Sequence, residues 1–118
     1  MSLSGQSAGD NVRLLYLGNL MNSNEDKKPL FLLGRTVVTQ GAIDVLDRTG
    51  THVTTLLSRH QSGDFGSLCA ADVRLNLEAI VAGLRILSCY EIGASRERVW
   101  IITAHDRSLC TVLLPDEY

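Results

Sequence analysis

Two hydrophobic periods divide this chain. Between Thr39 and Gly83 apolar residues recur at helical spacing, and from Leu84 onward they alternate with a period of two. The switch predicts an α+β domain: an N-terminal strand, three short helices, then a three-stranded antiparallel β-meander. Leu30 to Val38 reads as the first strand, interrupted at Gly34. Thr39 can cap a helix over Gln40–Arg48, which Gly50 would stop. A second helix is expected over His52–Gln61 with Thr51 as its cap. There Val53, Leu56, Leu57 and His60 fall at i, i+3, i+4 and i+7, so His60 stands at the end of a buried stripe.

Ser62-Gly63-Asp64-Phe65-Gly66 breaks the chain. The third helix is expected over Ala70–Ala82, closed by Gly83. Val73, Leu77, Ile80, Val81 and Leu84 make its main apolar stripe, widened by Leu75, Ala79 and Ala82. Arg74 and Glu78 form an i,i+4 pair on the outer side, in the weaker orientation. Such broad apolarity predicts cover on more than one side.

The meander follows as strands Leu84–Ile92, Arg98–Ala104 and Ser108–Leu114, joined by short loops. Val99 and Ile101 occupy one face of the second strand, Trp100 and Ile102 the other. A strand apolar on both faces is central and covered twice. Helices cover one face; the other calls for the leader, a protein partner or a second copy, so a homodimer is expected.

Residues 1–29 read as a poorly ordered leader and residues 30–118 as a single α+β domain. Within the leader only Val12 to Leu17 is apolar, and Leu14 to Leu17 could pair on a sheet edge. Met21 opens a polar stretch and is a candidate start.

Composition narrows the function. Nine of the eleven basic residues are Arg, yet the formal net charge is −2, which weighs against a dedicated nucleic-acid binder. Cys69, Cys89 and Cys110 are widely spaced in apolar contexts and read as reduced core thiols; no metal site is expected. No apolar run reaches the roughly 20 residues of a membrane span, and the start lacks signal-peptide blocks, so the expected location is cytoplasmic.

Two polar segments could carry chemistry. In Arg59-His60-Gln61-Ser62-Gly63-Asp64-Phe65-Gly66, a His and an Asp beside exposed amides suit anion binding or proton transfer. His60 at a helix C-terminus and Asp64 in a turn have equally good structural uses. In Ala104-His105-Asp106-Arg107-Ser108, Arg107 could hold a phosphate or carboxylate as a two-pronged donor. A solvated turn would present the same residues. The tail Leu114-Pro115-Asp116-Glu117-Tyr118 could meet a basic partner, or fray. Phosphate-binding glycine loops, the HExxH pair and the GxSxG elbow are absent, so no cofactor is expected. A triad of Ser108, His60 and Asp64 has no support from spacing.

Gly34 to Thr39, Arg59 to Gly66, Arg85 to Tyr90, Val99 to Thr103, Asp106 to Ser108 and Leu113 to Tyr118 together resemble a group of short uncharacterised bacterial proteins. These are often labelled plasmid-related and sometimes labelled type I restriction-modification methylase subunits. The resemblance spans Phe31 to Tyr118 and implies a mobile-element context with no established activity. Phe65 stands in place of a usual Trp, Ala104-His105 in place of an acidic-small pair, and Cys110 in place of a common Thr. The methylase label fails: the chain has no Asn/Asp-Pro-Pro-Tyr/Phe motif and no glycine-rich cofactor loop.

The expected function is therefore a small non-catalytic accessory protein of a plasmid or other mobile element, acting through its apolar sheet face or its Arg-bearing turns. One alternative is a metal-independent ribonuclease of the barnase–RelE kind, with His60 as base, Arg107 as phosphate clamp and Ser108 or Thr111 as hydrogen-bond donor. Another is weak DNA binding through the first two helices, where Thr54, Thr55, Ser58 and Arg59 share a polar side.

Overall fold

The computed structural model of the chain describes residues 12–15 and 28–118. Its elements, in chain order, are β1 (Val12–Leu15), β2 (Arg35–Thr39), α1 (Gln40–Thr49), α2 (Val53–Gln61), α3 (Ala70–Ala82), β3 (Ile86–Ile92), β4 (Glu97–Thr103) and β5 (Leu109–Leu113), with a 3-10 turn over Pro115–Glu117. The α+β class and the three helices stand as expected.

Local chemistry explains the helix ends. The Thr39 hydroxyl accepts the Ala42 N–H at 3.2 Å, and Gly50 closes α1 in the left-handed conformation. Gly83 closes α3 in the same way. The expected cap Thr51 lies one residue too early: α2 begins at Val53 with His52 at the cap position, and the Thr51 hydroxyl meets that of Thr49 at 2.9 Å.

The sheet differs in detail from the expected meander preceded by a separate strand. Four strands form one mixed sheet in the order β2-β5-β4-β3, and β1 extends it antiparallel to β2. The β3–β4 and β4–β5 pairs are antiparallel, but β2 joins β5 in parallel. The three helices form the crossover that a parallel pair requires. They carry the chain from β2 to the far edge, and the return strand β5 runs beside β2 in the same direction. Most of the expected leader lies outside the described residues, as do Tyr16 and Leu17 of its apolar patch.

One face of the sheet carries Val38, Ile86, Tyr90, Ile92, Val99, Ile101, Cys110 and Val112. These pack with Ala42, Val45 and Leu46 of α1, Leu56 and Leu57 of α2, and Phe31, Leu33, Phe65 and Ala79. β4 is central in the meander, as its two apolar faces require. On its second face Ile102 is buried, as is Leu113 beside it on β5, and Trp100 meets the Tyr118 ring edge-on at 5.7 Å. Ile102 and Leu113 are thus buried within a single chain, while Trp100 is half-buried.

The free edge of β3 is closed from within. The Asn76 amide of α3 accepts the Leu87 N–H at 3.2 Å and donates to the Leu87 carbonyl at 2.7 Å. Next to it, Cys89 pairs with the Phe65–Ser67 segment: its N–H reaches Phe65 O and its carbonyl accepts from Ser67 N. Such cover blocks edge-to-edge pairing with another chain.

Candidate functional site

His60 lies where the helical stripe predicts, on α2 against the sheet. Its ring is 0% exposed, and both nitrogens are occupied. Nδ1 lies 2.5 Å from the Ser88 hydroxyl and Nε2 lies 2.9 Å from that of Thr103. The Thr103 hydroxyl in turn reaches the Cys110 sulfur at 3.5 Å. The result is a buried relay across β3, β4 and β5, running Ser88, His60, Thr103, Cys110. Burial first, and then the charge of Arg107, pull the His60 pKa from 6.5 down to about 3. Burial pushes the Cys110 thiol up to about 12. His60 is thus a neutral polar peg in the core at neutral pH.

Asp64 is held on the far side of the same loop. Its carboxylate accepts from Arg59 at 2.7 and 3.3 Å and from the Gly66 N–H at 3.2 Å. Arg59 lies over the Tyr90 ring at 4.6 Å, and the Tyr90 hydroxyl donates to the Asp64 carbonyl at 2.6 Å. The pairing with Asp64 raises the Arg59 pKa, and burial raises that of Tyr90. Gly66 has a φ of 80°, and a Cβ there would overlap the Cys89 carbonyl. The glycines and the Asp that looked like an anion loop fasten this segment to β3.

The Asp106-Arg107-Ser108 turn is used in the same manner. Arg107 has a φ of 61°, and its guanidinium donates to three carbonyls: Ala79 at 2.9 Å, Leu84 at 2.6 Å and Ala104 at 3.0 Å. It therefore caps the C-terminal end of α3, where a cation is favoured, and ties it to the β4–β5 turn. Asp106 accepts both the N–H and the hydroxyl of Ser108, at 3.0 and 2.6 Å. Those two bonds lower its pKa. Gly34 has no room for a Cβ because the Arg107 and Ser108 backbone lies against it.

His60 and Arg107 do approach one another, with Phe31 between them. The Phe31 ring lies 5.1 Å from His60 edge-on and 5.7 Å from the Arg107 guanidinium. Thr111 is buried on β5, paired with Ile102 and Val37. Strand alternation sends Cys110 to the His60 face and Thr111 to the opposite one. In the tail, Glu117 accepts from Thr39 at 2.5 Å and from Leu114 N at 2.8 Å, and the Tyr118 hydroxyl accepts from Arg85. Among the described residues no group of three or more His, Cys, Asp or Glu could hold a metal ion, and no helix is long and apolar enough to cross a membrane.

Among the described residues, large apolar side chains are exposed at Leu30 and Leu32 ahead of β2, at Tyr118, and most densely on and just after α3. The expected main stripe is split: Leu77, Val81 and Leu84 are exposed, Val81 to 89%, as is Leu75, whereas Val73 and Ile80 pack against the core. The inner face is instead Asn76 and Ala79, with Val73 and Ile80 half-buried. The Asn76 clamp on Leu87 and the Arg107 cap on Ala79 set this rotation. Arg74 and Glu78 stand on the outer ridge as expected and enter no ion pair among the described residues. The apolar residues of this helix fall on both of its flanks, and polar residues stand on both remaining sides, Asp72 and Asn76 opposite Arg74 and Glu78; that pattern was the available signal.

The chain matches no protein-family model, no curated protein and no solved structure.

Proposed function

We propose that this protein is a non-catalytic interaction protein of a mobile element that binds a protein partner through α3. One observation carries the reading: four large apolar side chains, Leu75, Leu77, Val81 and Leu84, are exposed on one helix and its C-terminal extension. Scattered surface leucines are ordinary, whereas a concentration of them marks an interaction surface. Completing the burial of these four side chains is worth roughly 4–6 kcal/mol at about 25 cal/mol per Å². That offsets much of the cost of association, which begins at about 4 kcal/mol.

The polar segments support the same conclusion. Arg107, Asp64 and Ser108 spend their hydrogen bonds inside the chain, and His60 has no solvent contact. A ribonuclease base must reach the hydroxyl it deprotonates, so the ribonuclease reading is not adopted. A net charge of −2 argues likewise against nucleic acid as the partner. The resemblance to plasmid-related proteins supports the mobile-element setting.

The test is photo-crosslinking in cells, with the reactive side chain at position 75, 77 or 81 and at the exposed Asp44 of α1 as a control. Protein adducts at the α3 positions and none at 44 are expected. Equal, background-level yields at all four positions would end the proposal.

A further inference from the structure

The occupant of this surface follows from where α3 carries its charges. The outer ridge has Arg74 and Glu78 one helical turn apart, with Leu75 on one flank and Leu77 and Val81 on the other. Ala70, Ala71 and Ala82 at the two ends are small and exposed. The Arg precedes the Glu, the orientation that favours an intrahelical pair least, and neither residue enters an ion pair among the described residues.

The ridge is complementary to itself when reversed. If two copies of α3 lie antiparallel about a two-fold axis at the height of residue 76, Arg74 comes opposite Glu78 of the partner subunit, and the symmetry makes the contact twice. Leu75 then meets its own copy on one flank and Leu77 meets its own copy on the other. Val81 lies over Ala70 of the partner subunit, which is small enough to admit it. A parallel arrangement would set Arg74 against Arg74 and Glu78 against Glu78.

We infer that α3 binds a second copy of this chain, as an antiparallel helix pair fastened by two reciprocal Arg74–Glu78 contacts. The inference rests on the reading of α3 as an interaction surface and names its partner.

Sedimentation equilibrium of the full chain tests it, with circular dichroism to confirm that each variant is folded. The wild type is expected to dimerise. Arg74→Glu and Glu78→Arg each place like charges opposite one another at two contacts, and each should weaken the dimer about tenfold or more. An equimolar mixture of the two single variants should form a heterodimer, and the double variant R74E/E78R should recover the wild-type constant. A wild type that stays monomeric up to roughly 200 μM, a concentration at which any useful self-affinity would register, overturns the self-pairing. Crosslinks from position 81 to a different protein would then still uphold the interaction reading. A dimer indifferent to both single reversals overturns this geometry.

Discussion

The C-terminal end of α3 and its outer ridge present opposite chemistry put to opposite use. Where α3 ends, the Arg107 turn and the His60 stripe gather an Arg, a His, an Asp and several hydroxyls, a set that looks reactive. Their hydrogen bonds run to Ala79, Leu84, Ala104, Ser88, Thr103 and Ser108 within the same chain. The ridge carries leucines and a valine that look like core, and they face solvent. A polar side chain is informative about function only after its partners are counted. An apolar one is informative only after its exposure is known.

The sharpest way to break this contrast is at His60. Replacing His60 with Ala removes a fully buried ring and strands the Ser88 and Thr103 hydroxyls. The expected loss is about 4 kcal/mol of unfolding free energy in urea. A variant of near wild-type stability would remove His60 from the structural side of the comparison.

Acid should act on the same residue. The folded pKa of about 3 lies below the ordinary 6.5, so the unfolded chain binds the proton first as pH falls. The stability due to neutral His60 is complete above pH 6.5 and drains away toward pH 3. Between pH 6.5 and 5 the decrease should be about 1.6 kcal/mol. Urea midpoints that are flat across that interval would show that the ring is not held neutral.

Arg107→Ala should cost less, about 1.5 kcal/mol, because Ala79 and Ala104 keep backbone donors of their own. A phosphate clamp would behave differently: the melting temperature would hold and anion affinity would fall. The smallest effect on stability belongs to Val81→Ser, expected within about 0.5 kcal/mol of wild type. Association through α3 should nevertheless weaken measurably. A substitution that leaves folding alone and removes binding separates the two regions cleanly.

Much of the fold was legible in the chain. The i, i+3, i+4, i+7 spacing of Val53, Leu56, Leu57 and His60 identified the face of α2 that is buried, because one face alone of that helix is apolar. Thr39, Gly50 and Gly83 marked helix ends for steric and hydrogen-bonding reasons that hold in any context. The period of two after Leu84 announced the meander.

Three matters lay beyond the sequence. The parallel β2–β5 pair depends on where the crossover returns, which no local pattern encodes. The rotation of α3 is ambiguous in the sequence because polar residues stand on two opposite sides of the helix, Asp72 and Asn76 against Arg74 and Glu78, so neither side is marked as the outer one. The choice fell to Asn76, whose amide reaches a backbone partner eleven residues away. The meaning of Asp106-Arg107-Ser108 was likewise undetermined, since the same three residues serve a ligand or a helix end equally well. The sequence by itself determined which segments are helices and strands, since short-range sterics and periodicity decide that. Only the tertiary structure decided which polar groups are already satisfied and which apolar ones remain open, since both depend on contacts between residues far apart in the chain.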